Sequence, residues 1–128
     1  MTRLGPYLIV ALGSGLGGAL RHAVNVGCAR LLGIGWPYGT FAVNVVGSFA
    51  IGAIAAYFAL RGHGGQAWPL FLTTGVLGGF TTFSAFSLDV VLLYERGRVD
   101  LAALYLVGSV GVSVAALLLA LALVRRLI

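Results

Sequence analysis

Charge is scarce in this sequence, and acid is scarcer still. Charged residues make up 9% of the chain against 60% hydrophobic ones, whereas a soluble globular domain is about a quarter charged. That shortfall excludes a soluble domain. Lysine is absent: all eight cations are arginine, opposed by only three acids, Asp89, Glu95 and Asp100. The resulting +5 arrives with no basic patch or reading motif, so nucleic acid is excluded as a partner. It reads instead as interfacial arginine facing anionic membrane lipid, and it suits a protein that handles anions. A single cysteine, Cys28, excludes an intrachain disulfide. In its apolar stretch it reads as a packing residue. No nucleophile–base pair or metal-ligand cluster stands out, which argues against an enzyme.

What is present is long apolar runs. A helix crosses a bilayer with about 20 apolar residues. The pattern predicts an all-α membrane protein of one domain over 1–128, with helices at about residues 4–32, 37–60, 69–93 and 101–124. Glycine- and charge-rich turns separate them at 61–67 (RGHGGQA) and 95–100 (ERGRVD). Pro69 fits the first turn of the third helix, where its missing N–H does no harm. The N-terminus has the basic start and apolar middle of a signal peptide. Arg21 and His22, however, stand where a small-residue cleavage site should be, so the segment reads as the first span. Gly13-Ser14-Gly15-Leu16-Gly17-Gly18 matches the dinucleotide fingerprint, which has meaning only between a strand and a helix. Here Gly13, Gly17, Gly47, Gly108 and Gly111 read as sites of close helix packing.

The arginines do not choose an orientation. Both termini and the 61–67 turn share one side with Arg3, Arg61, Arg125 and Arg126; the other side receives Arg30, Arg96 and Arg98, and Arg21 is ambiguous. Orientation normally follows an excess of cations in cytoplasmic loops. Without one, the chain is expected to insert both ways up and to pair as an antiparallel homodimer; one orientation with a weak bias is the other reading.

Polar residues inside a span usually face the protein interior or a water path. Thr40, Asn44 and Ser48 recur every four residues along one stripe of the second helix, and Tyr105, Ser109 and Ser113 along one stripe of the fourth. Ser14, Gly18, Arg21, Asn25 and Cys28 follow a similar spacing on the first. None of these stripes contains an acid. Donors without carboxylates suit an anion path; hydrogen bonding between helices is the alternative. Asn44 is the strongest candidate, because an amide is expensive to bury unused. The stretch GGFTTFSAF (78–86) puts glycines and β-branched threonines in the middle of the third span, predicting a break near residues 78–82. Irregular backbone survives at that depth only when buried or lining a cavity, and its freed carbonyls suit a small cation. Phe83 and Phe86, three apart, share a face, and the positive edges of their rings could stabilise an anion.

GGFTTFSAF resembles the GGxTTFSTF signature of the fluoride channels, the Fluc or CrcB family. GGALRHA (17–23) resembles their GGxxGAxxRY stretch, without its internal glycine and with His22 for tyrosine. GTFAVNVVGSFAIG (39–52) resembles their GTLxxNxxGxFxxG, and the match runs through all four spans in order. The resemblance implies a passive channel that exports fluoride across a prokaryotic inner membrane, built as an antiparallel homodimer with two pores. It also implies a central Na+, structural and not transported, held by the backbone oxygens of Gly78 and Thr81 from each subunit. Phe83 and Phe86 would be the pore phenylalanines and Asn44 the pore asparagine. Thr40, Tyr105, Ser109 and Ser113 would form a polar track, with Arg21 near an aqueous vestibule. Ala85 stands where the signature has threonine, and neighbouring Ser84 is the hydroxyl that would replace it. His22 reads as a packing or interface change, with His63 in a distant loop. The rival is a small multidrug-resistance-type transporter, also a four-helix dual-topology dimer, but that chemistry needs a glutamate in the first helix. Asp89 is the one acid placed to be embedded, either interfacial or paired with an arginine.

Overall fold

The computed structural model describes residues 3–62 and 64–128, so His63 lies outside the described residues. Among those residues every regular element is helical. Helix α1 spans Gly5–Leu32 and α2 spans Tyr38–Arg61. The third span, Ala67–Glu95, is composite: α3 (Ala67–Pro69), a π-wound stretch (Leu70–Leu77), α4 (Gly78–Phe80) and α5 (Ser84–Glu95). Helix α6 covers Val99–Leu127. Four segments are thus long and apolar enough to cross a membrane; the first two fall within a residue of the expected bounds, and the third and fourth extend a few residues beyond theirs.

Local chemistry sets the ends. A proline lies in the first turn of α1, where no intrahelical N–H bond is lost. Gly33 (φ 85°) ends α1 and Gly62 (φ 76°) ends α2, both in the left-handed region that costs glycine little.

Packing is most extensive between α2 and α6 and between α1 and the π-wound stretch. The second contact is backbone on backbone. A methyl group on Gly13 would lie 2.8 Å from both Gly75 Cα and Phe71 O, and one on Gly17 would strike Val76 O. Gly79 is pressed in the same way against the Ser14 backbone. Helices in lipid associate through such close approach, because burying apolar side chains gains little there. Gly47 meets the Thr81 methyl, and Gly52 comes close to Leu117 O across the α2–α6 contact. Gly108 and Gly111, expected to pack tightly, face open space within the chain; their faces point away from the bundle's own contacts.

The break lies at the far edge of the expected window. Gly78 and Gly79 stay helical, and the helix ends at Thr81, whose ψ of 162° is extended. Gly79 serves close packing against α1, and the break falls at the threonines. The π-winding ahead of it has no counterpart in the sequence pattern.

Candidate functional site

The break is braced from α2. Asn44 Nδ2 donates to Thr82 O at 2.9 Å, and Thr82 N donates to Asn44 Oδ1 at 2.8 Å. The Asn44 amide is therefore used: it satisfies both backbone groups of one residue that has left the helix, and one of its two N–H groups remains. Thr82 Oγ1 accepts the Ala85 N–H at 3.2 Å, satisfying one of the free amides in the first turn of α5. Thr81 points both its N–H (3.0 Å) and its hydroxyl (2.9 Å) at Leu77 O.

Beside the break lies a groove of about 470 Å³ lined by Asn44, Ser48, Thr73, Gly78, Thr81, Thr82, Phe83, Phe86, Ser109 and Ser113 among others. No charged residue lines it. The hydroxyls of Ser109 and Ser113 are buried and have no hydrogen-bond partner among the described residues. Unpaired buried hydroxyls are costly, so two on one groove wall mark a place where a ligand or water completes them. The two phenylalanines, 5.6 Å apart between ring centroids, differ sharply: Phe86 is 5% exposed and Phe83 77%. Phe83 therefore stands at the rim.

The expected polar track is divided. Thr40 lines a second cavity, of about 340 Å³, with Asn25, Cys28, Trp36, Ala85, Asp89 and Arg96. Tyr105 is fully buried, its ring 5.1 Å from Phe86 and edge-on to Trp36 at 5.2 Å. Its hydroxyl donates to Asp89 Oδ2 at 3.1 Å. The partner of Asp89 is thus a tyrosine, although Arg96 shares its cavity. The helix-four stripe, acid-free in sequence, meets a carboxylate in space. Ser84 is exposed and outside the groove lining, 3.4 Å from Thr82 Oγ1. Arg21 is partly buried and lines neither cavity.

The cation implied by the family resemblance would find its donors in Gly78 O and Thr81 O. Both residues line the groove, and both carbonyls have lost the amides that would close on them in a continuous helix: Thr82 N turns to Asn44, and Ala85 N turns to Thr82 Oγ1. Hard backbone oxygens of this kind suit a small cation. Sequence reading missed Thr82; the signal was a threonine at the expected break, whose hydroxyl competes for nearby backbone amides.

Comparison with known proteins accords with this geometry. A family model described as "CrcB-like protein, Camphor Resistance (CrcB)" matches residues 8–121. The chain is 60% identical over 121 residues to "Fluoride-specific ion channel FluC 2" of Nitrobacter hamburgensis, covering 94% of this chain and 98% of the relative. It is 61% identical over 122 residues to "Fluoride-specific ion channel FluC" of Granulibacter bethesdensis (95% and 96% covered). It is 56% identical over 121 residues to the protein of that name from Rhodopseudomonas palustris strain BisB5 (94% and 98%). The multidrug-transporter alternative finds no support among these matches, and α1 carries no acid. With four spans, a braced break in the third and a family match over most of its length, the chain belongs to the CrcB family, as a multi-pass protein of a prokaryotic inner membrane and not an enzyme.

Proposed function

We propose that the chain forms a passive, fluoride-selective channel that lets the anion leave the cell, working as an antiparallel homodimer with two pores. The observation that carries this reading is the groove wall of uncharged donors, with the buried, unpartnered hydroxyls of Ser109 and Ser113 and no carboxylate. Fluoride is small and strongly hydrated, so dehydration is its main barrier. Ser109, Ser113 and the free N–H of Asn44 replace lost water by donating hydrogen bonds, and the ring edges of Phe83 and Phe86 add positive potential without a charge. A carboxylate in the same place would repel the ion. Chloride is larger and fits a narrow donor-lined path less well.

Two features favour a paired assembly. The arginines give no preferred orientation. Phe83 and the groove are open on one side of the single chain, as expected where a second copy completes the path. At the centre of such a pair, Gly78 O and Thr81 O of each copy would hold a structural Na+, whose charge would offset the carbonyl dipoles converging there.

The test is fluoride efflux from proteoliposomes, read with a fluoride electrode beside a chloride electrode. Fluoride leaves and chloride stays behind; equal fluxes of the two, or none, would refute the proposal.

A further inference from the structure

Two side chains account for the free carbonyls at the break, and they lie on different spans. In a continuous α-helix the amide of Thr82 would close onto Gly78 O and that of Ala85 onto Thr81 O, each four residues back. Both are diverted. Asn44 Oδ1 of α2 takes the first at 2.8 Å, and Thr82 Oγ1 takes the second at 3.2 Å. The diversions are linked, because Asn44 Nδ2 also holds Thr82 O at 2.9 Å and so fixes the residue whose hydroxyl takes the Ala85 amide. Thr81 is anchored separately on its N-terminal side, its N–H and hydroxyl both donating to Leu77 O.

We infer that Asn44 and Thr82 are positioning residues for the cation site: by occupying the amides of Thr82 and Ala85, they keep Gly78 O and Thr81 O available to a small, hard cation. This rests on the sodium reading given above. A carbonyl that accepts a helical N–H shares its lone-pair density with that donor and offers a weaker field to a metal. The extended ψ of 162° at Thr81 turns both amides off the helical path, and the Asn44 and Thr82 bonds hold it there. Without them nothing at Thr82 opposes a return of Thr81 to helical ψ, which would close Thr82 N–H on Gly78 O and Ala85 N–H on Thr81 O. Asn44 then serves two ions at once, one N–H facing the anion groove and the rest of its amide setting the cation ligands. Thr82 separates the two roles, because its hydroxyl is committed to the Ala85 amide.

The experiment is thermal unfolding of the purified full chain in detergent over a Na+ titration, with N-methyl-D-glucamine holding ionic strength constant and K+ as the control cation. For the wild type, Tm begins to rise as Na+ passes its dissociation constant and then climbs with the logarithm of concentration, as expected when a ligand binds the folded state alone. Thr82→Ala and Thr82→Val should each raise the Na+ concentration at which this rise begins by about tenfold or more, the usual consequence of removing an outer-shell partner of a metal site. Asn44→Ala should shift it in the same direction. Thr82→Ser keeps the acceptor and should stay close to the wild type. A merely structural Thr82 would lower Tm by the same amount at every Na+ concentration and leave the onset of the rise in place; that result overturns the inference, as would a serine variant behaving like the alanine one. A wild type with no Na+-specific rise overturns the sodium reading, and this inference with it.

Discussion

Removing the hydroxyls of Ser109 and Ser113 separates a conducting role from a packing role, because the two predict opposite signs for stability. Both oxygens are buried and have no partner among the described residues. Ser→Ala therefore breaks no protein hydrogen bond and relieves an unsatisfied group, so each substitution should leave the unfolding temperature unchanged or raise it. Conduction should move the other way. A hydrogen bond to a charged group contributes roughly 1.5–3 kcal/mol. At 1.4 kcal/mol per factor of ten, loss of one donor at the dehydrated ion lowers fluoride flux by roughly 10- to 150-fold. Single variants and the double variant should be reconstituted at matched density, with efflux read by electrode and Tm read on the same preparations. If the hydroxyls instead join helices, both variants should lose Tm and retain flux. That outcome, or wild-type flux from the double variant, would refute the assignment of this groove wall to the anion path.

Other substitutions probe the frame. Gly17→Ala places a methyl against Val76 O, backbone that has no rotamer to escape into; it should destabilise the protein by about 1–3 kcal/mol, the usual cost of overpacking, and an unchanged Tm would show that the α1 contact is looser than described. Tyr105→Phe leaves Asp89 Oδ2 without its donor at a partly buried site, and thermal unfolding should register a loss of roughly 1–3 kcal/mol. Tags on both termini, tested with an impermeant reagent on intact and opened vesicles, should react from both sides in comparable amounts; one-sided labelling would rule out dual orientation.

Much of this was legible along the chain because lipid imposes simple rules. The scarcity of charge and the length of the apolar runs are enough to require four spans, since nothing else satisfies the backbone of such segments in hydrocarbon. Four-residue spacing grouped Asn44 with Ser48 and Ser109 with Ser113, and those groups do meet at one groove. The threonines at 81 and 82 announced the break because β-branching and an available hydroxyl both compete with helical bonding. Tertiary structure alone decided the rest. Spacing along one helix cannot say which helix faces it, so it could not foresee that Thr40 and Tyr105 leave the groove for a carboxylate on the third span. Nor could it say that the amide of Asn44 would be committed to the backbone of Thr82. Glycine is ambiguous in sequence for the same reason: Gly13, Gly17 and Gly79 are fixed by a neighbouring backbone, while Gly108 and Gly111 meet nothing in this chain. Periodicity is a local property of the chain, whereas hydrogen-bond satisfaction and close approach depend on partners that only the assembled helices supply.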